Sequence, residues 1–197
     1  MTLQRPIARI TGIGSAVPDG VLSNADLEAY LDTSDEWIVE RTGIRERRIA
    51  RPDEKLSDYA ILAARDAMRE AGVEPSDLDG IIFATVTPDR RLPAVACDVQ
   101  SILGADRAWA FDVVAACPGW MYALSVAEGM MSTGHGDTIL VIGGEKLSTI
   151  TDRNDRSTVI LFGDGAGAAV VQRNGPGEDR GVLATYLGAD GDLAELL

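Results

Sequence analysis

The run Gly80-Ile-Ile-Phe-Ala-Thr-Val86 constrains the fold of this chain more than any other stretch. It is almost continuously apolar, without the alternation of a half-buried strand, so it reads as a strand covered on both faces, as in a parallel sheet between layers of helix. Helical patterns flank it. Ser57 to Ala71 carries Tyr59, Ile61, Leu62, Ala67 and Met68 at helical spacing and is followed by Gly72, while Val95 to Leu103 is stopped by Gly104. Ile7 to Ile13, Trp109 to Val113, Thr138 to Ile142 and Ala166 to Val171 read as further strands, and Gly119 to Met131 as a helix. The order βαβαβαββ predicts an α/β fold. Residues 20 to 55 break the alternation and read as an insertion with two short helices, one starting near Ser23 and one near Ser34. Residues 1 to 173 are expected to form one unit, with 174 to 197, which opens Gly/Pro-rich, leading away from it.

Charge and cysteine content narrow the function classes. A net charge of −13 argues against non-specific nucleic-acid binding. Two cysteines do not make a disulfide framework, and Met1-Thr-Leu-Gln-Arg-Pro6 lacks the apolar core of a signal peptide, so a reduced cytoplasmic setting without a membrane span is expected.

Cys117 is the candidate for chemistry. It stands where the apolar strand of Trp109 to Val113 gives way to a helix, before Pro118, a residue suited to the first helical position. A thiol there meets unpaired N–H groups and the positive end of the helix dipole, both of which favour thiolate. Ala115 and Ala116 leave room for a reactant. The alternative is a buried cysteine packed as a small hydrophobe. Cys97, in the middle of a helix, reads as structural. The single histidine, His135, follows the far end of the helix behind Cys117, about 20 Å away at 1.5 Å per residue, too far to act as its base.

Arg41, Arg45, Arg47, Arg48 and Arg51 crowd into eleven residues of an acidic chain. They either pair with Asp32, Asp35, Glu36, Glu40 and Glu46 or form a site for an anion such as phosphate. Trp37, one helical turn before Arg41, can face the same way and offer a plane to a nucleotide base. Gly12-Ile-Gly14 has only part of a dinucleotide fingerprint and reads as a turn. Gly163-Asp-Gly165-Ala-Gly167 also reads as a close-packed turn, with a phosphate-cradling phosphatase or kinase loop as the least favoured alternative.

Taken together, Asn24-Ala-Asp-Leu-Glu28, Asp32-Thr-Ser-Asp-Glu-Trp37 through Arg47, Phe111-Asp-Val-Val-Ala-Ala-Cys117-Pro-Gly, Tyr122-Ala-Leu-Ser-Val-Ala and Leu161-Phe-Gly-Asp-Gly-Ala-Gly-Ala-Ala-Val170 resemble β-ketoacyl-acyl carrier protein synthase III. The resemblance runs over nearly the whole chain. It implies a thiolase-like fold of two βαβαβαββ halves, this chain being the N-terminal one. It also implies a condensing acyltransferase that loads an acyl-CoA primer on cysteine and joins it to malonyl-acyl carrier protein, starting fatty-acid synthesis. No cofactor is implied beyond the coenzyme A thioester substrate, and a homodimer is. Cys117 matches the nucleophile. Trp37 and Arg156 match the pair around the adenine, with Thr33 beside them and Arg41 near the phosphates. Leu92 matches a usually aromatic residue that reaches into the partner subunit's acyl pocket, and the change puts primer preference in question. Pro118 and Trp120 stand where Ala and Phe are commoner, a change expected to leave the chemistry untouched. The family's His and Asn, which hold the malonyl thioester, belong to the second half. The chain is therefore expected to be a fragment, inactive in condensation alone and with an apolar sheet face uncovered. Two other readings stand beside this one: an enzyme of the same type that primes polyketide or other long-chain products, and a non-catalytic acyl-CoA-binding half.

Overall fold

The computed structural model describes residues 6–196. The start Met1 to Arg5 and the last residue, Leu197, on which the signal-peptide and fragment expectations bear, lie outside the described residues. Among the described residues, seven strands and six α-helices run in the order β1 (Ala8–Ala16), β2 (Val21–Ser23), α1 (Asn24–Glu28), α2 (Asp35–Thr42), β3 (Glu46–Arg48), α3 (Leu56–Ala71), β4 (Gly80–Ala84), α4 (Val95–Leu103), β5 (Trp109–Val113), α5 (Gly119–Ser132), β6 (Thr138–Lys146), α6 (Arg156–Val159) and β7 (Asp164–Arg173). Five strands form one mixed sheet in the order β1-β7-β6-β4-β5. β4 pairs in parallel with β5 and β6, and β7 runs antiparallel to both β6 and β1. All five residues of β4 are buried, as its unbroken apolar run requires.

Helices cover the sheet on both faces. α3 and α4 pack on Ile81, Phe83, Leu140, Ile142 and Val170. α5 packs on the opposite face through Ala123, Leu124, Ala127 and Met131, against Ile82, Ile139 and Val141. The insertion has a small core of its own, in which Leu27 and Ile38 meet Val159 and Ile160 of the α6 region.

Two glycine stretches expected as turns are strand. Gly12 and Gly14 lie inside β1, where α3 rides so close that an added Cβ would stand 2.2 Å from the Ala67 and Ala63 carbonyl oxygens respectively. The missing side chains let helix backbone settle onto strand backbone. Gly165 and Gly167 likewise belong to β7, paired with Glu145 and Gly143 on one side, and Gly167 also with Ser15 on the other. Local composition reads these runs as breakers because glycine is unfavourable in a strand unless something must come close. The insertion also holds an unforeseen two-stranded ribbon of β2 and β3, three residue pairs long, whose signal is too short to separate from loop.

Candidate active site

Cys117 is exposed and lies before α5 rather than inside its first turn. Pro118 is the N-cap, one position earlier than expected, because the Gly119 N–H closes a turn onto the Ala116 carbonyl at 2.8 Å. Ala116 holds φ 47, the one non-glycine residue in the left-handed region among those described. That conformation costs an L-residue about 1–2 kcal/mol. Strained backbone of this kind recurs where a strand-to-helix turn thrusts out a nucleophile.

The sulfur's surroundings form a cleft of about 620 Å³, walled by Ala84, Val86, Trp120 and Phe162 and floored partly by Gly143, Gly165 and Gly167. It opens on the α5 face of the sheet, where β1 leaves Ile10 and Ile13 exposed. Glu145 reaches the same cleft from the end of β6. Its carboxylate accepts the N–H groups of Val86 (2.9 Å) and Thr87 (3.0 Å) and the hydroxyls of Thr85 (3.1 Å) and Thr87. Glu145 therefore fixes the chain leaving β4. Nothing in the sequence singles it out, since its partners lie 58 to 60 positions away.

The second group of expected residues gathers on the insertion. Ser23 caps α1 in a reciprocal pair with Asp26, and Ser34 caps α2 through the Trp37 N–H at 3.1 Å. Both helix starts are where the serines place them. Arg41 lies one turn beyond Trp37 on α2, its guanidinium carbon 4.3 Å from the ring centroid. Arg156, from α6, stands 4.5 Å from the same ring and donates to the Asp32 carbonyl at 2.6 Å. Asp155 caps α6, and hydrogen bonds from Ser157 and Thr158 hold its carboxyl below the usual range. Next to Asp32, the Thr33 hydroxyl is buried without a hydrogen-bond partner. A purine slipped between Trp37 and Arg156 needs two stacking contacts, about 7–8 Å in all. Arg156 would have to withdraw by roughly 3 Å to admit it.

The arginine cluster divides. Arg47 is 4% exposed and serves the fold, donating to the Ile160 carbonyl and to Asn24 Oδ1 at 2.5 Å, and its burial lowers its pKa from the usual value. Arg48 pairs with Glu46, and Arg51 with Asp53 and Glu54. Arg41 pairs with Glu40 at 3.7 Å and stays half-exposed over Trp37, and Arg45 is exposed. The ion-pair reading thus holds for Arg41 with Glu40 and Arg48 with Glu46, two of the expected partners.

Leu92 is 85% exposed on the loop after β4 and does not line the Cys117 cleft of its own chain. Asp89 of that loop accepts the Leu56 and Ser57 N–H groups, and Arg90 pairs with Asp98 at 2.5 Å. Cys97 is half-buried on α4, with only a distant contact to the Ala110 carbonyl at 3.9 Å. His135 follows α5, where its carbonyl accepts the Trp109 indole N–H at the start of β5, away from the Cys117 turn beyond that strand's other end. A second cleft, of about 560 Å³, is lined by Tyr30, Arg153, Asn154, Val159 and Phe162, among others. Phe162 is common to both clefts, so the α6 region that carries Arg156 and the hollow around Cys117 adjoin across one side chain.

Comparison with known proteins finds similar ones. The family model described as 3-oxoacyl-[acyl-carrier-protein] synthase III matches residues 111–191. β-Ketoacyl-[acyl-carrier-protein] synthase III of Symbiobacterium thermophilum is 58% identical over 187 residues, covering 95% of this chain and 56% of its own length. The crystal structure of the Thermus thermophilus synthase III superposes with a TM-score of 0.89 at 48% identity, covering 95% of this chain and 57% of that one. A priming β-ketosynthase from the R1128 polyketide pathway superposes with a TM-score of 0.82 at 40% identity, covering 88% of this chain and 52% of that one. The chain thus spans little more than half the length of the relatives it matches.

Proposed function

This chain carries the N-terminal half of the β-ketoacyl-[acyl-carrier-protein] synthase III fold, and from that premise we propose that it is the acyl-accepting half of a condensing enzyme. The observation that carries the reading is the Cys117 turn: left-handed Ala116 presents an exposed thiol at the edge of an apolar cleft. Acyl-CoA docks its adenine at Trp37 and Arg156, with Thr33 offering the unpaired hydroxyl and Arg41 its charge to the phosphates. The pantetheine arm then passes Phe162 to reach the sulfur.

In the transfer step, Cys117 Sγ, having given up its proton, attacks the thioester carbonyl carbon. A new C–S bond forms, the C–S bond to coenzyme A breaks, and the released thiolate takes up a proton. Adding malonyl-acyl carrier protein asks for more, because decarboxylation builds charge on the malonyl thioester oxygen and needs donors already aimed at it. The one histidine here is at the wrong end of α5. The family resemblance assigns those donors to the His and Asn of the second half, and Leu92 to the acyl pocket of a partner subunit in a homodimer. The R1128 relative, a priming β-ketosynthase, supports polyketide priming as a second reading of the same transfer chemistry.

Incubation of the intact protein with acetyl-CoA followed by peptide mass mapping tests the first step. Acetyl on Cys117, lost in Cys117→Ala, is expected. Acetyl on Cys97, or acetylation that survives Cys117→Ala, refutes the assignment.

A further inference from the structure

We propose that Trp120 selects the size of the acyl group loaded on Cys117, favouring short chains, and that Gly143 is what lets the indole occupy its place. The proposal deepens the acyl-transfer reading and rests on it. Trp120 follows Cys117 by three residues, in the first turn of α5. Helical side chains lean toward the N-terminus, so the indole reaches back toward the level of the sulfur. Both residues line the same cleft, and no lining side chain is larger than the indole.

The indole is wedged rather than free. A Cβ added at Gly143 would lie 3.1 Å from Trp120 Cδ1 and 3.5 Å from its Cβ and Cγ, so the side chain rests on bare β6 backbone. Within the fold it joins the apolar cluster of Ile82, Ala84 and Val141. The floor nearby is low. Gly165 and Gly167 bring no side chain, and a Cβ at Gly167 would meet only the Gly14 oxygen, at 3.8 Å. Along this part of the cleft the indole is therefore the feature that an acyl chain growing from Cys117 must pass. A pocket wall that admits or refuses one methylene changes rates by about 10–200-fold.

The experiment offers the intact protein an equimolar mixture of acetyl-CoA and octanoyl-CoA and reads the ratio of the two acyl groups on Cys117 by peptide mass mapping. Trp120→Phe and Trp120→Ala should raise the octanoyl share about tenfold or more. Gly143→Ala, which pushes the indole into the cleft, should lower it. In parallel, N-ethylmaleimide and N-octylmaleimide compete for Cys117, a reaction that needs no enzymatic step. If Trp120→Ala fails to fold, Trp120→Phe and Gly143→Ala carry the comparison. Ratios unchanged in the folded variants, or all rates falling together, overturn the proposal. A shifted maleimide ratio with no acylation by either acyl-CoA in any variant upholds Trp120 as a size filter at Cys117 and refutes the acyl-transfer reading instead.

Discussion

Replacing Arg47 with alanine separates the two uses of the arginine cluster. Its guanidinium is buried between the insertion and the residues after α6, bonded to the Ile160 carbonyl and to Asn24 Oδ1. Alanine leaves both acceptors buried and unpaired, at about 1–3 kcal/mol each. Relief from burying a charge offsets part of that loss, leaving a net destabilisation of about 3 kcal/mol. For a chain of this size each kcal/mol moves the midpoint by about 2–4 °C, so Tm should fall by about 6–12 °C. Thermal unfolding followed by circular dichroism and tryptophan fluorescence reads this directly. Arg47→Lys keeps a cation but not the fork, and should fall between alanine and the parent. Arg41→Ala, half-exposed over Trp37, should stay within about 1 kcal/mol. A Tm unchanged in Arg47→Ala, with acyl-CoA binding lost, would show Arg47 to be an anion ligand and reverse the division drawn above.

The same Arg41→Ala variant should weaken acyl-CoA binding more at low salt than at high salt, because the lost contact is a screened charge; calorimetric affinities equal at every ionic strength would remove Arg41 from the phosphate site. Gly12→Ala puts a methyl group 2.2 Å from the Ala67 oxygen, so α3 must lift from β1. Its Tm should drop by about 2–12 °C, for an overpacking cost of about 1–3 kcal/mol, and a Tm within 1 °C of the parent would mean that the helix–strand contact is looser than described.

How much was legible in the sequence follows how local each cause is. The apolar run at Gly80 to Ala84 determines a doubly covered strand, and α3, α4 and α5 begin and end within a residue of their periodic patterns, because spacing and capping act over a few residues. Ser23 and Ser34 mark their helix starts for the same reason. Trp37 and Arg41 stand one turn apart and so meet wherever that helix forms. The strand-to-helix turn made Cys117 a candidate nucleophile and helical spacing set Trp37 beside Arg41, whereas the place of Arg156 beside Trp37 came from resemblance alone. Trp120 carried a usable signal, its three-residue spacing from Cys117, but its part in the cleft depends on the bare backbone of Gly143 beneath it. Tertiary structure alone decided the rest. Gly12 and Gly14, which look like a turn, became strand because α3 comes close enough to exclude a Cβ, and Gly165 and Gly167 because β6 pairs with them. Of the five clustered arginines, Arg47 turned inward because Ile160, 113 positions away, brings it an acceptor. Arg156 found Trp37 across more than a hundred residues, and Glu145 found the Thr85–Thr87 turn. Such pairings depend on which strands lie side by side in the sheet, and that order is set only when the apolar faces of the helices and strands are buried together.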